Sequence, residues 1–211
     1  MRWSPAKFCA IKINLNNYWF LTEKLYDTTH TKGGDPVPSI KIMNDFEAFL
    51  LSKKLQFEGI AVGGSALILL GVIDRATRDL DLVNQSIPEA ILEAAKQFSQ
   101  LHSLDENWLN NGPREITKHL PTGWQERLTP LFNGKALKLF TLNRKDLIKT
   151  KCWALCDRAG SDQQDLLQLK PSKIELLEAI EWLKPLDQNT DWSDWVERKI
   201  NRMIAILEKK T

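Results

Sequence analysis

Apolar and polar positions follow two different periods along the chain, and the switches between them lay out its elements. "IKIMNDFEAFLLSKKL" places Ile42, Phe46, Phe49, Leu50 and Leu55 at helical spacing, with Asn44 or Asp45 suited to cap the start. "FEGIAVGG" reads as a short strand ending in two glycines, and "SALILLGVI" as a buried helix with Gly71 near its end. "RDLDLV" alternates and predicts a second strand. Pro88 opens a helix, "PEAILEAAKQFSQL", with Ile91, Leu92, Ala95 and Phe98 as its apolar positions. "SLDENWLNNGPREITKHLPTGW" is rich in turn signals and predicts no regular element. "ERLTPLF" and "KALKLFTL" flank Asn133-Gly134, the residues of a tight hairpin turn. From Asn143 onward "RKDLIKTKCWALCD", "SDQQDLLQL", "PSKIELLEAIEWL" and "DWSDWVERKINRMIAILEKK" all read as helices.

The order is helix, strand, helix, strand, helix, hairpin, helices. It predicts an α+β fold with a mixed sheet, flanking helices and a helical C-terminal half. Residues 1–38 differ from the rest: "AIKINLN" alternates like a strand and "THTKGGDPVP" is turn and linker material. The expected organisation is an N-terminal extension over 1–38, an α/β core over 39–142 and a helical region over 143–211.

Composition narrows the classes. The chain has 211 residues, 43% of them hydrophobic and 27% charged, as expected for a soluble protein with a substantial core. A net charge of +2 gives no argument from composition for a nucleic-acid binder. The stretch Ile60 to Ile73 is the longest apolar run and is too short to cross a bilayer, and the first twenty residues lack a clean apolar leader. No membrane role is expected. The three cysteines have no framework spacing; Cys152 and Cys156 read as two buried thiols on one helix face, which points to the cytoplasm. His30, His102 and His119 show no metal spacing. Trp108, Trp124 and Trp153 are read as packing residues before base-stacking ones. The stripe Trp192, Trp195, Ile200, Met203 and Ile204 is read as core before interface.

The chemistry lies in "AVGGSALILLGVIDRATRDLDLV". Gly63 and Gly64 sit where a strand must turn into a helix, and glycine there permits both a sharp turn and close approach by a phosphate. Ser65 is placed to cap the helix. The motif is neither a Walker loop nor a dinucleotide fingerprint, because the following lysine and the third glycine are missing. Asp79 and Asp81 stand two apart in a strand, so they share a face while Leu80 and Leu82 turn inward. Adjacent carboxylates raise each other's pKa unless a cation lies between them, and magnesium takes such pairs together with phosphate oxygens. Taken singly, the glycines fit a plain strand–helix connection and the aspartates fit an exposed strand face. Their combination brings a phosphate cradle and a metal pair to one edge.

That combination resembles the nucleotidyltransferase superfamily, whose signature is a Gly-Gly/Ser turn followed by Asp-hydrophobic-Asp/Glu. The form here is similar to the branch of toxin-type nucleotidyltransferases from abortive-infection systems, with Arg75, Thr77, Asp79 and Asp81 on its pattern. "WLNNG", "GWQERL" and "KTKCWALCDRAGSDQQDLLQL" resemble the later parts of a bacterial group in that branch; Lys151, Arg158, Asp162 and Asp165 match its ending. The resemblance spans about residues 42–185.

The resemblance implies transfer of a nucleoside monophosphate from a nucleoside triphosphate to a hydroxyl on an RNA end such as tRNA, a protein or a small molecule. Asp79 and Asp81 are implied to bind magnesium or manganese and to be catalytic with Lys151. Gly63, Gly64, Ser65, Arg75, Thr77 and Asp165 are implied to bind nucleotide. Active members of the superfamily often carry a third carboxylate on a later strand, and "KALKLFTL" has none. The alternative is therefore a catalytically inactive nucleotide-binding module, or an interaction module with an antitoxin-like partner.

Overall fold

The computed structural model describes residues 39–75, 77–158 and 160–209, all within one compact unit. The expected strand and linker in residues 1–38, with His30 and Cys9, lie outside the described residues. The described elements, in order, are α1 (Ile40–Ser52), β1 (Phe57–Ala61), α2 (Gly63–Leu69), β2 (Leu80–Asp81), α3 (Glu89–His102) and β3 (Leu109–Asn110), then the hairpin β4 (Thr129–Asn133) and β5 (Leu137–Thr141). Helices α4 (Arg144–Asp157), α5 (Asp162–Leu169), α6 (Lys173–Leu183) and α7 (Thr190–Glu208) complete the chain. The fold is α+β with a mixed sheet, as the sequence predicts.

Helix α1 starts earlier than Asn44 or Asp45. Ser39 caps it from an extended backbone, its hydroxyl accepting from the Ile42 N–H at 3.2 Å. Ile42, Met43, Phe46 and Leu50 are buried, one per turn or nearly so. Ser39 wins because only a residue ahead of the first apolar position can meet the open N–H groups of the first turn.

Strand β1 runs parallel to β5 with Phe57 opposite Leu137 and Ala61 opposite Thr141, and β5 pairs antiparallel with β4 across an irregularity between Pro130 and Phe132. The predicted hairpin is present, but its turn is displaced: Asn133 is the last residue of β4 and pairs with Lys138, and Lys135-Ala136 form the tip, closed by the Gly134 N–H donating to the Leu137 carbonyl at 2.8 Å. Its turn is held from outside. The Glu47 carboxylate of α1 accepts from the backbone N–H groups of Lys135, Ala136 and Leu137 and closes against Gly134, where any side chain would collide with it.

The second strand is shorter than expected. β2 keeps only Leu80 and Asp81, parallel to β3 in the turn-rich stretch. This pair joins the main sheet through an antiparallel bridge between Ala61 and Leu82. The Val62 N–H donates to the Asp81 carbonyl and the Val83 N–H to the Ile60 carbonyl, both at 2.9 Å. The bridge fixes the end of β1 beside Asp81.

The predicted alternation holds: Leu80 and Leu82 are fully buried, while Asp79 and Asp81 are half-buried. The core is mainly aliphatic with an aromatic cluster inside it. Phe46, Phe98 and Trp108 are fully buried, with Phe46 lying 5.0 Å from Phe98 and 5.1 Å from Trp108 between ring centres. The Trp108 indole N–H donates to the Ala95 carbonyl at 3.0 Å, so this ring is packing and Trp124 is buried as well. Leu92 does not join its helix's apolar positions; it is exposed. In α7, Val196, Ile200, Met203 and Ile204 are buried, whereas Trp195 keeps its ring partly exposed under Lys199. Cys152 and Cys156 are buried free thiols; burial raises both, Cys156 to about 11. Among the described residues no helix is long and apolar enough to cross a membrane.

Candidate active site

The sheet bridge puts the glycine turn and the aspartates at one edge. Gly63 has φ +71, a conformation that L side chains rarely adopt, and a Cβ there would lie 3.4 Å from Asp81 Oδ2. At Gly64 a Cβ would stand 2.6 Å from Arg75 Nη2, which is a collision. Glycine thus suits the turn twice: at Gly63 for its conformation, and at Gly64 because any side chain would push the Arg75 guanidinium from where it lies. Ser65 does not cap α2. Val62 occupies the cap position without a side-chain bond, and the buried Ser65 hydroxyl donates back to the Val62 carbonyl at 2.8 Å. The helix stops at Leu69 rather than running to Ile73, and Gly71 at φ +68 turns the chain away.

The two aspartates are held by short polar side chains. The Thr77 hydroxyl donates to Asp79 Oδ1 at 3.1 Å. Asn110 Nδ2 donates to Asp81 Oδ1 at 3.2 Å, and Asn110 Oδ1 accepts from the Gly112 N–H at 2.9 Å, which sets the orientation of the amide. Asn110 was not singled out by sequence reasoning; its only signal was its place in "WLNNG". Burial raises the Asp81 carboxyl above the usual carboxylate range and the Asp79 charge adds to this, while Asn110, Arg158 and Lys151 act in the opposite sense. A half-buried Asp81 carboxyl whose ionisation is opposed by burial and by the neighbouring Asp79 charge is a group that a divalent cation relieves. Among the described residues no group of three or more His, Cys, Asp or Glu side chains is placed to hold a metal. A pair fits magnesium, which binds one or two carboxylates and leaves its other positions to water and phosphate.

Behind the turn runs a ladder of alternating charge. Arg75 donates to both oxygens of Asp165, Nε to Oδ1 at 3.1 Å and Nη2 to Oδ2 at 3.0 Å, across 90 residues of sequence. Lys151 Nζ donates to Asp165 Oδ2 at 2.6 Å and to Asp162 Oδ1 at 2.9 Å. Arg158 Nε reaches Asp162 Oδ2 at 3.3 Å, rather than pairing with its neighbour Asp157. The side chains of Lys151, Asp162 and Asp165 are 4%, 4% and 1% exposed, whereas a third of Arg75 remains open. Burial pushes the Asp165 carboxyl up, but the hydrogen bonds and charges of Arg75 and Lys151 outweigh it and leave Asp165 below its ordinary value.

No acid stands in β5, Leu137–Thr141. Asp146 accepts from Arg127 at 2.9 Å, Glu106 pairs with Lys96 at 2.6 Å, and Asp105 accepts from the Asn107 N–H at 2.9 Å. His102 stacks on Phe98 and His119 meets the Trp153 ring edge-on. A cleft of about 470 Å³ opens at the start of α7 among Asp187, Asp191, Trp192 and Asp194. Arg198, Asn189 and Trp195 also line it, and it contains none of the glycine-turn or strand aspartate residues.

No curated protein and no solved structure matches the chain. A family model described as "nucleotidyltransferase of unknown function (DUF6036)" matches residues 40–196, which include the glycine turn, both aspartates and the whole charge ladder. The chain belongs to that nucleotidyltransferase family.

Proposed function

We propose that the protein transfers a nucleoside monophosphate from a nucleoside triphosphate to a hydroxyl acceptor, with magnesium or manganese held by Asp79 and Asp81. The observation that carries this reading is the adjacency of the two motifs: the Val62 N–H, just ahead of the glycines, donates to the Asp81 carbonyl at 2.9 Å, and a side chain on Gly63 would begin 3.4 Å from Asp81 Oδ2. Phosphates laid over Gly63 meet backbone at close range, beside the carboxylate pair and next to the Arg75 guanidinium that covers Gly64. The acceptor oxygen attacks the α-phosphorus, the bond to the bridging oxygen breaks, pyrophosphate leaves, and the acceptor proton passes to solvent. The bound metal supplies charge neutralisation at the α-phosphate and orients the leaving group. Asn110 and Thr77 hold the carboxylates in place, and the open part of Arg75 offers positive charge beside the turn. Acceptors of three classes suit the chemistry: a tRNA end, a protein side chain and a small molecule. The buried free thiols support a cytoplasmic setting.

The test is transfer of labelled nucleotide with magnesium, wild type against Asp79→Ala. Labelling by the wild type that is lost in the variant supports the reading; equal labelling by both removes the metal pair from it. A second reading, nucleotide binding without transfer as part of a toxin–antitoxin-type pair, is favoured by the absence of an acid in β5. It predicts magnesium-dependent binding in calorimetry with no labelled product from any acceptor class.

A further inference from the structure

Lys151 lies in the interior of the ladder. Its ammonium is enclosed by Asp162 and Asp165, with 4% of the side chain exposed. Asp165 is equally withdrawn. Its oxygens accept two bonds from Arg75 and one from Lys151, which take three of about four acceptor sites and suit it to holding cations rather than accepting a proton. The member of the ladder that meets the glycine turn is Arg75, whose Nη2 lies where a Gly64 side chain would begin. A planar guanidinium held by two parallel bonds has one orientation rather than many.

We infer that Asp165 is a positioning residue, which holds the Arg75 guanidinium flat against Gly64 so that it meets the nucleotide's phosphates already oriented, with Lys151 as its buried counter-charge. The phosphate part of this inference rests on the proposed nucleotide site; the orienting part stands on the geometry alone. An arginine free to rotate must be ordered at the moment of binding, and that cost is removed in advance here. Gly64 belongs to the same device, because a methyl group there displaces the guanidinium from its seat.

Two measurements on the full chain separate the parts. The first follows the Arg75 side-chain Nε–H signal by NMR, without nucleotide. It should be protected from exchange in the wild type and lost or shifted to the free-arginine position in Asp165→Asn. A signal unchanged by that substitution overturns the inference, whatever nucleotide does. The second is calorimetry with magnesium and each of ATP, GTP, CTP and UTP. Asp165→Asn and Arg75→Ala should each weaken binding roughly ten- to hundredfold, and the double variant should be no weaker than Arg75→Ala alone. A full further loss in the double variant means that Asp165 acts by another route and overturns the inference. No binding by the wild type, with the NMR result as expected, removes the nucleotide reading and leaves the orienting contact standing. Should Asp165→Asn fail to fold, Arg75→Lys keeps the charge but not the two parallel bonds: binding weakened about as far as in Arg75→Ala is expected, and binding as tight as the wild type overturns the inference.

Discussion

Replacing Lys151 by methionine keeps most of the side chain's volume and removes its charge. In the native protein that charge sits 2.9 Å from Asp162 Oδ1 and 2.6 Å from Asp165 Oδ2, and the three side chains are 4%, 4% and 1% exposed. An exposed ion pair contributes about 0–1 kcal/mol, whereas stripping one partner from a buried pair costs about 3–5 kcal/mol because a charge is left unpaired in the interior. Two contacts survive the substitution. Arg75 still holds Asp165 by two bonds, and Arg158, itself 64% exposed, still holds Asp162 by one at 3.3 Å. They place the loss near the lower bound, about 3 kcal/mol. Against a total stability of about 5–15 kcal/mol this is a large fraction. Urea unfolding followed by tryptophan fluorescence should show the midpoint falling at unchanged slope. Adding Asp162→Asn removes one of the orphaned charges and should recover part of the loss. A loss below about 1 kcal/mol, or no recovery in the double variant, refutes the view that the ladder is a buried and mutually dependent network.

Other outcomes follow from the same structure. Because the Asp165 carboxyl is depressed in the folded protein, its contribution to stability is complete above the unfolded value of about 3.9 and is lost as pH falls through the lower folded value. The stability gap between wild type and Asp165→Asn, read from urea midpoints, should be flat above about pH 5 and close below about pH 4. Glu47→Ala leaves the backbone N–H groups of Lys135, Ala136 and Leu137 without their acceptor; a loss of about 2 kcal/mol and faster hydrogen exchange at those amides are expected. Cys152 and Cys156, buried and raised in pKa, should resist iodoacetamide at pH 8 in the native protein and react in urea, as read by peptide mass spectrometry.

What the sequence disclosed was local, and its silences were long-range. The strand ahead of Gly63-Gly64, the inward leucines around Asp81 and the existence of the hairpin followed from period and turn chemistry. The hairpin turn lies at Lys135-Ala136 rather than at Asn133-Gly134, because the Glu47 carboxylate, distant in sequence, binds the backbone N–H groups there. The cap at Ser39 was missed because Asn44 and Asp45 are also good capping residues, and only the position of the first buried turn distinguishes them. Ser65 was misplaced because a hydroxyl three residues into a helix can donate backward as readily as it can cap. Strand β2 was overextended because alternation persists through Asp79 although the pairing does not. The pairing of Arg75 with Asp165 spans 90 residues and has no local signature. It required the fold to bring α5 to the glycine turn. The resemblance implies a catalytic role for Lys151, but only the fold reveals that its charge is shared between two buried carboxylates.

The central claim is tested most directly by soaking crystals with magnesium and a non-hydrolysable nucleoside triphosphate. The account predicts a cation between Asp79 and Asp81, with phosphates over Gly63 and within reach of Arg75. Nucleotide bound elsewhere, in the cleft at the start of α7 for instance, or bound at the turn with no cation on the aspartates, contradicts it.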